Sequence, residues 1–375
     1  MIVVLGGGLI GLGIAYELAK RGAEVRVLEA GEPGRAASWA AAGMLAPYTE
    51  GLAGTPFEAF CAHSLALYPA YVDELREAGG VDARLKLDGI VRAAYSESEA
   101  VELRRHAAAA ALAGVESSWL ERRDLLNAEP ALDGRALGGL LFSAEGQVDN
   151  RRLGRALAAA CTARGVRVDA NGGLVALEAD ARRVRGVRSR DGFVAASAVI
   201  NATGAWAGQV EGVPREARLP VVPVKGQMLA LGLPRGLMRR VVWVPGAYLV
   251  PRDDGRLLVG ATVEQAAFDV RVTADGMRAL LDAALSAAPA LRDLAVVETW
   301  AGLRPGSADG LPYIGATALE GYFVAGGHYR NGVLLAPATA REVADAVEGK
   351  PPSAAGRGLS PLRLPGGSRP DSLAC

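Results

Sequence analysis

Two groups of residues in this sequence have types and spacing suited to chemistry, and they lie far apart in the chain. The first is Gly6, Gly8 and Gly11, a G-x-G-x-x-G pattern that closes the apolar run Ile2-Val3-Val4-Leu5. Gly6 allows the tight turn, Gly8 lets backbone approach a pyrophosphate, and Gly11 lets helix and strand pack closely. The helix that follows through Ile14, Tyr16 and Leu18 turns its N-terminus toward the phosphates. A second strand, Glu24 to Leu28, ends in Glu29, where a carboxylate accepts hydrogen bonds from ribose hydroxyls and disfavours a 2′-phosphate. Together these features predict a bound dinucleotide, with NAD and FAD both open.

The second group is Tyr248, in Gly246 to Arg252, and Arg304, in Trp300 to Gly306. A planar guanidinium with five donors is a natural clamp for a carboxylate, although an arginine in such a run also reads as one half of a surface ion pair. Tyr248 alternates with apolar neighbours and reads equally as a core aromatic whose hydroxyl finds a backbone partner. His328 and Arg330 flank Tyr329 in a glycine-rich turn. The chain has 3 histidines and no acid spacing to match them, so no metal site is expected. No G-x-S-x-G elbow is present, which argues against a serine hydrolase.

These residues need a scaffold, and 375 residues with half of them apolar suit two domains. Lys plus Arg equals Asp plus Glu at 41 each, so bulk charge marks neither a nucleic-acid binder nor a membrane-surface protein, and a small-molecule partner is expected. Cys61, Cys161 and Cys375 are odd in number and unpaired by spacing, which fits a reducing cytoplasm. A strand beginning at Ile2 leaves no space for a secretory leader, and no apolar span is long enough for stable membrane insertion.

Along the chain, a loop of small residues from Gly31 to Ala42 precedes an amphipathic helix from Phe57 to Ala78. A strand from Leu85 to Ala94, helices Glu97 to Leu112 and Arg122 to Asn127, and a strand Gly138 to Phe142 follow. Asp149 or Asn150 caps a helix from Leu153 to Ala163, and the hairpin Val184 to Ser197 leads into the buried strand Ala198 to Gly204. Between Pro220 and Gly260 the strands Val221 to Val224, Gln227 to Leu231, Val241 to Val244, Tyr248 to Val250 and Leu257 to Val259 predict an antiparallel sheet. The last third returns to strand and helix, ending in a Pro-, Gly- and Ser-rich tail read as loosely ordered. The expected fold class is α/β, α+β overall: a discontinuous Rossmann-like cofactor domain (1–82, 144–218 and 300–350), an antiparallel-sheet substrate domain (83–143 and 219–299) and a tail (351–375).

In the order of these blocks the chain resembles FAD-dependent amino-acid oxidases of the D-amino-acid oxidase and sarcosine oxidase superfamily, most nearly the glycine oxidases of thiamine thiazole synthesis. The resemblance rests on the glycine motif, Ala41 to Met44, Asn201 to Trp206, Pro223 to Gly226, Tyr248 to Arg252, Val259 to Thr262, Trp300 to Gly306, Asp309 to Gly315 and Gly327 to Pro337. It implies that Leu9, Ile10, Glu29 and Ala30 meet the FAD pyrophosphate and adenosine. It further implies that Ala37, Ser38, Ala42, Gly43 and Met44 line the cofactor, that Leu174 contacts adenine through its backbone, and that His328, Tyr329, Arg330, Asn331, Gly332, Val333 and Leu334 lie along the flavin. Arg304 and Tyr248 match the family's carboxylate clamp, Arg330 a substrate-side position, and Val263 and Met44 the substrate pocket. Gly246 stands where a relative carries histidine, and Val263 where it carries methionine.

What the resemblance implies is oxidation of glycine, and of sarcosine or small D-amino acids, to the imine and glyoxylate, with O2 reduced to H2O2. No obligatory side-chain acid or base is implied, because a neutral amine passes hydride from its α-carbon to the flavin. Arg304 to Gly315 contains no cysteine, so FAD is expected to be noncovalent. A homo-oligomer, in the form of a tetramer, is also implied. The rival readings are a D-amino-acid dehydrogenase that delivers electrons to a quinone, and a noncatalytic FAD-binding module.

Overall fold

The computed structural model describes residues 1–363 except Ala53, Leu174 and Ala181, with the side chain of Pro56 also left aside. Strand Ile2–Leu5 lies at the middle of a six-stranded sheet, paired in parallel with Val25–Leu28 on one side and Ala198–Asn201 on the other. Arg167–Asp169 extends the sheet beyond Val25–Leu28, Tyr322–Gly326 extends it beyond Ala198–Asn201, and Tyr313–Ala316 closes the far edge antiparallel. Central strands in such a sheet are buried on both faces, and Val3, Val4, Val27, Val199, Ile200 and Val324 are fully enclosed.

Helices Leu9–Lys20, Pro56–Gly79, Asn150–Ala163 and Ala336–Val347 share one core with this sheet. The long helix Pro56–Gly79 has a local start and stop: Thr55 Oγ1 accepts from the Glu58 amide at 3.2 Å, and Gly80 ends it at φ 71°. That helix also fixes the turn after Tyr322–Gly326. Ser64 Oγ donates to the Leu334 carbonyl at 2.7 Å and the Tyr68 hydroxyl donates to that of Val333.

A second, eight-stranded sheet runs in the order Val296–Gly306, Val222–Gly232, Arg256–Gly260, Ala247–Pro251, Val241–Val244, Ile90–Ala94, Gly138–Phe142, Ser118–Glu121. The strands from Val222 to Gly260 pair antiparallel as expected, but the sheet is mixed, because Val241–Val244 runs parallel to Ile90–Ala94. Regular pairing on that strand begins at Ile90 rather than Leu85, where Gly89 at φ 94° breaks the run. Val222–Gly232 is continuous where two shorter strands are expected, since Lys225 and Gly226 stay in register with Leu303 and Gly302. Helix Ala274–Ala287, capped by Thr273 Oγ1 to the Gly276 amide at 3.2 Å, covers one face through Leu280 and Ala284.

The tail differs from its expectation up to residue 363. Leu359 is buried in the first core, and Arg363 pairs with Asp309 at 2.8 Å and lies over the Tyr313 ring, anchors that a composition rich in Pro and Gly conceals. Residues 364–375 lie outside the described set. Among the described residues no helix is long and apolar enough to cross a membrane.

Candidate active site

A cavity of about 1060 Å³ runs from the Gly6 turn to the eight-stranded sheet. At one end, Gly6 adopts φ 98°, and a Cβ there would sit 2.5 Å from the Ala202 carbonyl oxygen. A Cβ on Gly11 would sit 1.9 Å from the Gly6 carbonyl oxygen, so this turn tolerates no side chain at either place. Glu29 folds back on the turn, accepting from the Gly7 amide at 2.6 Å and the Gly31 amide at 2.9 Å. A carboxylate has about four lone-pair sites, so these two bonds leave capacity for further donors. Leu9 opens the helix, its amide donating to Ser38 Oγ at 2.9 Å.

The loop that follows is held from behind. Arg252 is buried and donates to Gln147 Oε1 at 2.7 Å, the Val148 carbonyl at 2.9 Å, the Ala42 carbonyl at 2.8 Å and Asn150 Oδ1 at 2.9 Å. Asn150 Nδ2 donates to the Ser38 carbonyl at 2.7 Å, and Trp300 Nε1 to that of Ala40 at 3.0 Å. These contacts, with Trp39 packed edge-on against Trp300 and under Arg151, fix the alanine-rich stretch from Ala37 to Met44 as a wall.

At the other end, Arg304 and Tyr248 each lie on a glycine of the neighbouring strand. A Cβ on Gly226 would meet Arg304 Nη1 at 2.3 Å, and a Cβ on Gly260 would meet the Tyr248 ring carbons and hydroxyl at 2.6–2.7 Å. Arg304 Nη1 donates to the Thr262 carbonyl at 3.1 Å and to the Lys225 carbonyl at 3.3 Å, which leaves the rest of its fork open. The Tyr248 hydroxyl contacts Met228 Sδ at 3.7 Å. Burial raises its pKa while the charge of Arg304 opposes the shift, so at neutral pH the phenol remains a donor.

The cavity brings together Gly6, Gly8, Leu9, Ile10, Glu29, Ala30, Ala37, Ser38, Ala42, Gly43 and Met44 with Tyr248, Val263, Arg304 and the turn from His328 to Val333. Gly11 stays outside its lining and serves packing. Leu334 is also absent from the lining: it is buried in the core and its carbonyl is taken by Ser64. Leu174 lies outside the described residues. The His328 ring contacts Thr339 Oγ1 at 3.1 Å, and burial pushes it down to about 3, so it is a neutral structural imidazole. Two residues around this cavity have no role that the sequence alone implies: Arg252, at the end of the run Tyr-Leu-Val-Pro-Arg, and Glu50, an acid six residues beyond Met44 that lines the cavity.

Residues 1–346 match the family model of the FAD dependent oxidoreductases. The chain belongs to this family. It is 39% identical over 363 residues to a glycine oxidase from Geobacillus kaustophilus, covering 93% of each chain. A crystal structure of glycine oxidase from Geobacillus kaustophilus superposes with a TM-score of 0.92 at 37% identity, covering 97% of this chain and 99% of that one. The bifunctional protein ThiO/ThiG of Synechocystis sp. is 35% identical over 380 residues, and this chain spans 55% of its length.

FAD fits the residues present. The turn at Gly6 to Gly8 and the start of helix Leu9–Lys20 offer backbone amides to a pyrophosphate, and Glu29 keeps lone pairs for ribose hydroxyls. The alanine wall and the residues from His328 to Val333 line the same cavity and would flank an isoalloxazine held there. When bound there, FAD supplies the two-electron acceptor for oxidation of a C–N bond.

Proposed function

We infer that the chain oxidises glycine, releasing the imine that becomes glyoxylate while O2 becomes H2O2. The observation that carries this reading is the pair Arg304 and Tyr248, pressed onto Gly226 and Gly260 at the end of the cavity away from the dinucleotide turn. A guanidinium fork and a phenol donor converge where a small carboxylate can dock, and the likeness to glycine oxidases supports the same substrate. Arg330 adds a second cation on the turn beside the flavin bed, and Val263 and Met44 border the remaining space. Likeness to ThiO/ThiG supports a role in supplying thiazole synthesis.

Division of labour follows the two large sheets: the six-stranded sheet carries the cofactor end and the eight-stranded sheet carries the clamp. FAD is held noncovalently in this reading, as Arg304 to Gly315 offers no cysteine. Acid precipitation should leave the yellow colour in solution, and colour retained in the pellet would show a covalent link. The direct test of activity is peroxide release by the FAD-loaded protein in air with glycine, with sarcosine and D-alanine alongside. Release with glycine is expected, and silence with all three would refute the assignment. Reduction by glycine without air, followed by slow reoxidation in air, would instead favour delivery of electrons to a quinone.

A further inference from the structure

The clamp accounts for a substrate's carboxylate and leaves its amine without a partner. Of the described acids that line the cavity, Glu29, Glu32, Glu99 and Glu102 are engaged by other groups, and Glu50 is the one within the field of the clamp arginines. Glu50 lines the same cavity as Arg304, Arg330 and Tyr248, and among the described residues its carboxylate forms no hydrogen bond or salt bridge. Its backbone is not free to move away. The Glu50 amide donates to the Ala46 carbonyl at 3.2 Å, while Glu145 Oε1 accepts from the Thr49 amide at 2.9 Å and also from the Tyr48 amide. The fold therefore spends a buried acid to hold another acid at the chamber wall.

Charge balance shows what Glu50 is suited to do. Arg304 and Arg330 attract a carboxylate but repel the ammonium attached one carbon away. An unpaired carboxylate at the wall offsets that repulsion and gives the ammonium a charge-assisted acceptor. The groups whose fields reach Glu50, or which feel its field, are Arg330 and Arg304 in the chamber, Tyr248 beside them, Cys61 on helix Pro56–Gly79, and Glu145 behind the turn. Burial raises the Glu50 carboxyl, with the two arginines opposing the shift, which makes it a better proton acceptor than an exposed glutamate.

We propose that Glu50 binds the ammonium group of the α-amino acid substrate and takes one of its protons, setting the class of substrate as amino acids rather than hydroxy acids. This rests on the amino-acid oxidase reading above. In the step an N–H bond breaks and an O–H bond forms on Glu50, leaving a neutral amine. With FAD bound as the two-electron acceptor and O2 as its oxidant, the neutral amine would then lose hydride from its α-carbon, and the Glu50 proton would return to solvent after the product leaves.

The test compares FAD-loaded wild type with Glu50→Gln, which keeps size and removes charge. Two ligands without an α-hydrogen, 2-aminoisobutyrate and 2-hydroxyisobutyrate, are titrated against the flavin absorption band, and the ratio of their dissociation constants is read. Wild type should prefer the amine, and Glu50→Gln should lower that preference by at least about ten-fold, with binding of the hydroxy acid unchanged or tighter. In turnover, the KM for glycine should rise and the acid limb of the kcat/KM profile should shift. An unchanged ratio, equal weakening of both ligands, or no preference in wild type overturns the proposal. The function reading fails separately, through absence of peroxide from wild type, because the ligand ratio needs no turnover. Retained flavin colour and an unchanged melting temperature in Glu50→Gln confirm that the variant is folded.

Discussion

Gly226→Ala is the sharpest perturbation of the clamp, because it leaves Arg304 in the sequence and displaces it in space. A Cβ built on Gly226 falls 2.3 Å from Nη1, 2.4 Å from Nη2 and 2.6 Å from Cζ of Arg304, whereas ordinary contact begins at 3.4 Å. The guanidinium must therefore retreat by about 1 Å, and a misplacement of about 1 Å at a positioning group costs on the order of a hundred-fold. What moves is the far end of a flexible side chain rather than backbone, so the fold should bear the change with a loss of about 1 kcal/mol or less. Steady-state peroxide assays on the FAD-loaded variant should show a KM for glycine raised on the order of a hundred-fold, while kcat falls much less. Arg304→Ala supplies the limit, and Gly226→Ala should approach it. A KM within about two-fold of wild type in a folded, yellow Gly226→Ala protein would mean that the guanidinium does not meet the substrate.

Three further outcomes follow. Gly11→Ala puts a Cβ 1.9 Å from the Gly6 carbonyl oxygen, a clash with backbone that no side-chain rotation relieves, so it should abolish flavin retention on gel filtration and lower the melting temperature. Arg252→Met should weaken FAD binding in a fluorescence titration without contacting the cofactor, since four acceptors that hold the Ala42 wall lose their donor. Burial pushes the Glu145 carboxyl up to about 7 against the donors Thr49 Oγ1, Thr49 N and Tyr48 N, so folding favours its protonated form. Its contribution to stability, about 3 kcal/mol, is complete below the ordinary carboxylate range near about 4 and is lost as pH rises through about 7. Melting temperatures measured from about pH 5 to about pH 8 should fall in wild type and fall less in Glu145→Gln.

What could be read in the sequence was local. Strand, glycine turn, helix and acid occur within the first 29 residues, and each step constrains the next, so the dinucleotide site was legible without tertiary information. Glu50 was not legible, because its meaning depends on Arg304, Arg330 and Glu145, all far away in the chain. Arg252 is hidden for a related reason: its four acceptors come from two segments far from it in the chain, Ala42 and the stretch Gln147, Val148 and Asn150. At Val333 and Leu334 the chain passes from the cavity into the core, where both are buried and both carbonyls are held by helix Pro56–Gly79, a change of surroundings that the sequence run does not mark. In the sequence Lys225-Gly226 separates two short apolar runs; in the fold, the glycine continues the strand and gives Arg304 a surface to lie on.

The clamp depends on register as much as on residue type. Strand Val222–Gly232 pairs Val224 with Arg304 and Gly226 with Gly302, and strand Ala247–Pro251 pairs Tyr248 with Gly260. Side chains alternate between faces, so a slip of one residue in strand Val222–Gly232 would take Gly226 from beneath Arg304 and bring Lys225 to the chamber face. Lys225 opposes that slip. It is buried, its Nζ meets Glu264 at 3.2 Å, and Glu264 in turn accepts from Gln227 Nε2 at 2.7 Å, so displacement would strand a charge and an amide away from their partners. A buried ion pair contributes little net stability, but removing one partner is costly, which suits it to excluding an alternative pairing. The same segment holds the clamp directly: the Lys225 and Glu264 backbones exchange two hydrogen bonds at 2.9 and 3.0 Å, and the carbonyls of Lys225 and Thr262 receive Arg304 Nη1. The pair on one face of the strand thus fixes where the guanidinium stands on the other, and the geometry of the proposed carboxylate clamp is set by residues outside the cavity lining.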